Sequence, residues 1–142
     1  MENTVRERVF PASLDLLVDI RAFILEEDGA EERLPPKRVA HLDVAIEEIV
    51  VNICSYAYET PPGELTIRVE EKPEFFAVDF LDNGVAFDPL AMDEPDVSLP
   101  LEKRDAGGLG ILLVRRMMDE VHYSRKGTLN SLRIVVDTPR MP

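Results

Sequence analysis

The chain has 142 residues, the length of a single domain, which is enough to bury a substantial core. Its net charge of −12 disfavours direct binding of nucleic acids, whose phosphates need cationic partners. No apolar stretch is long enough to span a bilayer, and the N-terminus lacks the apolar region of a signal peptide, so we expect a cytoplasmic protein. The single cysteine, Cys54, excludes a disulfide framework and is expected in the core.

The spacing of apolar residues predicts five strands and three helices. In chain order these are a strand at 5–10, a helix from its N-cap Ser13 to about Gly29, a helix from Pro35 to about Tyr58, strands at 65–69 and 76–80, a helix from Gly108 to about Glu120, and strands at 121–126 and 130–137. Hairpins with helices on one face predict one domain, 1–142, with a two-layer α/β (α+β) sandwich fold. Its sheet is expected to be mixed but mostly antiparallel, with about five strands.

Residues 84–106 show no clear period and contain Pro89, Pro95 and Pro100. A segment of this length inside a compact domain is usually a functional lid or disordered. We therefore predict a lid at about 84–106.

The second predicted helix carries a polar pair, Glu48 and Asn52. Four residues apart, the two side chains project from the same side of the helix, at the edge of its apolar stripe. They can face a ligand or simply form a hydrogen bond on the helix surface. Glu47 is adjacent but points about 100° away from Glu48.

Two further motifs follow elements of the predicted sheet. Asp82 ends an apolar strand and is followed by Gly84. The two residues either belong to an ordinary turn or contact adenine, with the Asp82 carboxylate accepting from its amine. Gly107, Gly108 and Gly110 precede an apolar helix, whose free N–H groups suit phosphates, although a hinge is the plain alternative. The Rossmann and P-loop patterns do not match this glycine motif, since no βαβ unit and no Lys-Ser/Thr pair accompanies it.

Together and in this order, the three motifs resemble the asparagine box and the two glycine boxes of the GHKL superfamily, the histidine-kinase-like ATPases. They look most like the bacterial anti-sigma-factor serine/threonine kinases, over roughly residues 5–137. Ala86 stands where the first glycine box often has a second glycine. The resemblance implies the Bergerat-type ATP-binding fold.

The same resemblance implies roles for individual residues. Glu48 would be the general base and Asn52 a Mg²⁺ ligand between the ATP phosphates. Ser131 would lie near the adenine. The remaining nucleotide-binding candidates are the aspartate, the glycines and the lid cations, namely Asp82, Gly84, Gly107, Gly108, Gly110, Lys103 and Arg104. In sequence, Arg115 and Arg116 also lie close to the third motif.

The implied function is a Mg-ATP-dependent kinase that phosphorylates a small anti-anti-sigma-type antagonist protein and alternatively binds a sigma factor, as in partner switching in transcription regulation. A non-catalytic ATP-binding module that sequesters a partner is the alternative. The catalytic half of a histidine kinase is disfavoured, because no dimerisation helix with an acceptor histidine precedes the domain. The sequence is compatible with either a monomer or a homodimer. Zinc is not expected, because His41 and His122 are far apart and lack a cysteine partner.

Overall fold

The computed structural model describes residues 4–56, 63–84 and 106–138. Its elements in chain order are β1 (Thr4–Pro11), α1 (Leu17–Arg21), α2 (Ala30–Arg33), α3 (Pro36–Tyr56), β2 (Glu64–Glu71), β3 (Phe75–Asp82), α4 (Ala106–Met117), β4 (Glu120–Lys126) and β5 (Leu129–Asp137). The predicted lid at 84–106, with Lys103 and Arg104, lies outside the described residues except for its two ends.

The five strands form one sheet in the order β1-β2-β3-β5-β4. Every pairing between them is antiparallel. Because side chains alternate between the two faces of a strand, one face of the sheet is apolar and packs against the helices. The fully buried residues on this face include Leu65, Ile67, Phe76, Val78, Phe80, Ile134 and Val136.

The longest helix, α3, has 21 residues and supplies much of the opposing layer. Leu42, Ala45, Ile46 and Ile49 recur at helical spacing and are fully buried, as expected for a helix that packs one side against a sheet. Burial of each large aliphatic side chain contributes about 1.5–3 kcal/mol. Cys54 packs at the edge of this core, where burial raises the pKa of its thiol.

The first helical region is less regular than its sequence pattern predicts. Ser13 caps it as expected, accepting from the backbone N–H of Asp15 at 3.2 Å. The region is then divided into a 3-10 turn, α1 and a π-helical turn, Ala22–Glu26. Arg6 on β1 donates to the carbonyl oxygen of Phe23 at 2.7 Å, so a strand side chain uses a backbone acceptor of the π turn. Gly29, with φ of 71°, ends the region in the left-handed conformation that glycine adopts readily.

The predicted two-layer α/β sandwich with five strands is confirmed. Within the described residues, two details refine the expectation: all strand pairings are antiparallel, and the short helix α2 follows Gly29. No helix in these parts of the chain has the length and apolar character needed to cross a membrane.

Candidate nucleotide-binding site

Asp82, the last residue of β3, has a buried carboxylate, and only 5% of the residue is exposed. Its Oδ1 atom accepts two hydrogen bonds at 2.9 Å, one from the backbone N–H of Gly84 and one from Nδ2 of Asn130. The bond to Gly84 closes an Asx turn, which leads the chain away from the strand. A buried charge needs such partners to offset its desolvation. The end of β3 therefore presents a carboxylate in a fixed orientation.

Asn130 is the second buried polar residue at this point, with 4% exposed. It lies directly across from Asp82 in the antiparallel β3–β5 pair. Its Oδ1 atom accepts from the Tyr123 hydroxyl at 2.6 Å and from Arg125 Nη1 at 2.9 Å. Arg125 Nη1 also donates to the carbonyl oxygen of Gly84 at 3.1 Å. We call these five residues the Asp82 cluster; three of them, Tyr123, Arg125 and Asn130, were not identified from the sequence motifs.

Ser131, the hydroxyl candidate near the adenine, does not join this cluster. It pairs with Leu81. Since adjacent strand residues point to opposite faces, the Ser131 side chain lies on the face away from the helices, whereas Asp82 and Asn130 lie on the helix-facing side. The buried apolar residues of β5 that pack on the helices all have even numbers. That alternation is the sequence signal that places residue 130, and not residue 131, on the same side of the sheet as Asp82.

Glu48 and Asn52 lie on α3, and both are half-buried. Glu47 is exposed, so Glu48 is the one of the two glutamates at the edge of the core. None of the hydrogen bonds between described residues joins Glu48 or Asn52 to the Asp82 cluster. Their roles as base and magnesium ligand stay predictions.

The glycine motif lies inside α4, which begins at Ala106, two residues earlier than predicted. Gly107, Gly108 and Gly110 therefore lie in its first turn and a half. The first N–H groups of a helix lack intrahelical acceptors and carry partial positive charge. Glycines add no side chain over these groups, and no acidic residue lies in the first turn. This helix end can donate to phosphate oxygens.

Arg115 and Arg116, which are close to the glycine motif in sequence, are distant from it in the structure. Arg115 and Arg116 belong to the last turn of α4, roughly 12 Å along the axis from its first turn at about 1.5 Å per residue. They therefore lie at the wrong end of the helix to assist the glycines. In the Asp82 cluster, the cation is Arg125, whose importance the motifs did not indicate.

The side chains of the candidate site could bind magnesium only together with the phosphates of a nucleotide. Within residues 4–56, 63–84 and 106–138, no group of three or more His, Cys, Asp or Glu side chains could hold a metal ion. Magnesium in nucleotide sites is typically bound by one or two protein oxygens together with phosphate oxygens and water. The side-chain oxygen of Asn52 is suited to such a contribution.

The chain is similar to a known protein family and to curated relatives. Residues 10–136 match the model of the histidine kinase-like ATPase domain. The serine-protein kinase RsbW of Bacillus cereus (strain G9842) is 32% identical over 90 residues, which cover 58% of this chain and 54% of that protein. The serine/threonine-protein kinase BtrW of Bordetella bronchiseptica is 27% identical over 112 residues, with 78% of each chain covered. The chain thus spans about half the length of the RsbW relative.

A solved structure shows the same fold. The Acinetobacter baumannii histidine kinase AdeS aligns with a TM-score of 0.53 and 14% sequence identity, covering 96% of this chain and 70% of that chain. At this identity the likeness concerns the fold alone. The family model, by contrast, covers most of the sequence and confirms the resemblance to GHKL proteins, so the chain belongs to the histidine kinase-like ATPase domain family.

Proposed function

We propose that this chain is a Mg-ATP-dependent serine/threonine protein kinase acting in the cytoplasm. In this proposal it phosphorylates a small anti-anti-sigma-type antagonist protein and binds a sigma factor in alternation. The observation that carries the proposal is the buried Asp82 carboxylate, fixed by Gly84 and Asn130, in a member of an ATPase family. The names of the relatives, serine-protein kinase and serine/threonine-protein kinase, favour a protein hydroxyl as the acceptor.

In this proposal, the nucleotide is bound by the end of β3 and by the first turn of α4. The Asp82 carboxylate accepts a hydrogen bond from the exocyclic amine of adenine, while Gly84 leaves room for the base. The first-turn N–H groups of α4, around Gly107 and Gly108, donate to phosphate oxygens. Gly110 keeps the next turn free of a side chain, and the cations Lys103 and Arg104 offset phosphate charge in a protein whose net charge is −12.

The chemical step needs a proton acceptor and accurate positioning. The Glu48 carboxylate accepts the proton of the acceptor serine as that oxygen bonds to the γ-phosphorus and the bond to the ADP oxygen breaks. General-base catalysis of this kind is typically worth about 10²–10⁴ in rate. Asn52 would hold Mg²⁺ through its amide oxygen, and the ion would neutralise phosphate charge.

Phosphoryl transfer from γ-labelled ATP to purified candidate antagonist proteins, with magnesium, tests the proposal. We expect label on a serine or threonine of one antagonist, and loss of transfer in Glu48→Gln. Glu47→Gln is the matched control, since Glu47 is exposed, and it should transfer at close to the wild-type rate.

Two results would change the assignment. A wild-type chain that binds ATP but labels no antagonist would favour the non-catalytic sequestering module. A Glu48→Gln variant with the wild-type rate would remove Glu48 as the base and direct attention to Glu47.

A further inference from the structure

The proposed function uses Asn130 only as a contact of Asp82, and it gives no role to Tyr123 and Arg125 of the Asp82 cluster. Two donors, the Tyr123 hydroxyl and Arg125 Nη1, converge on Oδ1 of Asn130 at 2.6 and 2.9 Å. An amide oxygen only accepts, and an amide nitrogen only donates. A flipped amide would place its NH₂ group against Arg125, which cannot accept a hydrogen bond, so Arg125 fixes the orientation of Asn130. The Tyr123 hydroxyl, which can also accept, adds a second donor to the amide oxygen in this orientation.

The fixed amide determines how the Asp82 carboxylate is held. With its oxygen towards Tyr123 and Arg125, Asn130 directs Nδ2 to Asp82 Oδ1 at 2.9 Å. Gly84 donates its N–H to the same oxygen. Both bonds therefore favour one rotamer of Asp82, because the two donors converge on the same oxygen. Both bonds use Oδ1, so these two donors leave Oδ2 available to accept from a ligand.

We propose that Asn130, locked by Tyr123 and Arg125, is a positioning residue that makes the site select a 6-aminopurine over a 6-oxopurine. The inference rests on the proposed nucleotide function of Asp82. Adenine offers an amine donor at position 6, whereas hypoxanthine and guanine offer a carbonyl oxygen there. A carboxylate held as a pure acceptor attracts the amine and repels the carbonyl. A carboxylate that is free to rotate discriminates less, because it can turn away from the carbonyl oxygen.

Calorimetric titration of the full chain with ADP and with IDP, both with magnesium, measures this selectivity directly. Asn130→Leu should lower the ratio of ADP affinity to IDP affinity by about tenfold, the scale of a buried hydrogen bond to a charged group. Tyr123→Phe removes one of the two locking donors and should lower the ratio by about two- to fivefold. Ser124→Leu is the matched control, because Ser124 is exposed on the opposite face of β4, and its ratio should equal that of the wild type.

The ratio separates positioning from a merely structural role. If Asn130→Leu loses ADP and IDP affinity equally, so that the ratio is unchanged, the inference is overturned while the nucleotide function stands. If Asn130→Leu does not fold, an unchanged ratio in Tyr123→Phe overturns the inference in the same way. A wild-type chain that binds neither nucleotide would overturn the proposed function itself, and the inference with it.

Discussion

Arg38, in the first turn of α3, donates to the carbonyl oxygen of Met117, the last residue of α4, at 3.2 Å. It also pairs with Asp119, two residues further on. At about 100° per residue around a helix, Asn52 lies within about 40° of Arg38 and Glu48 within about 80°. Asn52 therefore lies near the side of α3 from which Arg38 reaches the end of α4, and Glu48 lies further round the helix. One arginine thus ties together the two helices on which the proposed phosphate chemistry depends.

Replacement of Arg38 by methionine should lower the free energy of unfolding by about 1–2 kcal/mol. The change leaves a helix-terminal carbonyl and a carboxylate without their cationic donor. Urea denaturation measures the loss. Arg116→Met is the matched control, because Arg116 is exposed in the same region of α4, and it should change the free energy by less than about 0.5 kcal/mol. An Arg38→Met variant as stable as this control would show that the link does not hold the helices.

The face of the sheet away from the helices carries a pH-dependent ion pair. Arg133 donates to Glu70 at 2.6 Å and to Asp79 at 2.9 Å, and the hydrogen bond from Arg133 lowers the pKa of Glu70. A carboxylate whose pKa is lower in the folded state stabilises the fold above its unfolded pKa of about 4.3. That contribution is lost as the pH falls through the folded value.

Glu70→Gln should therefore lower the free energy of unfolding at pH 7 by about 0.5–1 kcal/mol, the scale of a partly exposed pair. The difference from the wild type should shrink as the pH falls below about 4.3. Denaturation at a series of pH values measures both effects. Glu74→Gln, at an exposed hairpin position, is the control. A difference for Glu70→Gln that stays constant down to acid pH would contradict the linkage to its ionisation.

Asn52→Ala and Glu48→Gln should differ in how strongly magnesium increases their affinity for ATP. Without the amide oxygen of Asn52, the increase in ATP affinity that magnesium produces should largely disappear, because one of the few protein ligands is lost. Glu48→Gln should retain that increase within a few-fold, since a general base contributes to the transition state. Titrations of both variants with ATP, in magnesium and in EDTA, measure the difference. An Asn52→Ala variant with an unchanged magnesium effect would exclude Asn52 as the ligand.

Apolar periodicity located the five strands and the long helix α3, because each of these elements buries one continuous face. The π turn was not predicted, and its carbonyl at Phe23 accepts from Arg6, a residue distant in sequence that a local pattern does not include. Asp82 was identifiable as a polar residue at the end of an apolar strand. Asn130 was not, because its contact with Asp82 follows from the pairing register of β3 with β5, which no local pattern shows. The role of Ser131, which the family resemblance implied, stays a prediction.

The most direct measurement is calorimetric titration of the full chain with ADP and with ATP in the presence of magnesium. Saturable binding of one nucleotide per chain is expected, with a rise in melting temperature because the ligand binds the folded state. Asp82→Asn should weaken binding by about 1–3 kcal/mol, since it replaces a charged acceptor with a group that can present a donor to the adenine amine. No binding heat and no change in melting temperature with millimolar ADP or ATP would contradict a nucleotide site at Asp82.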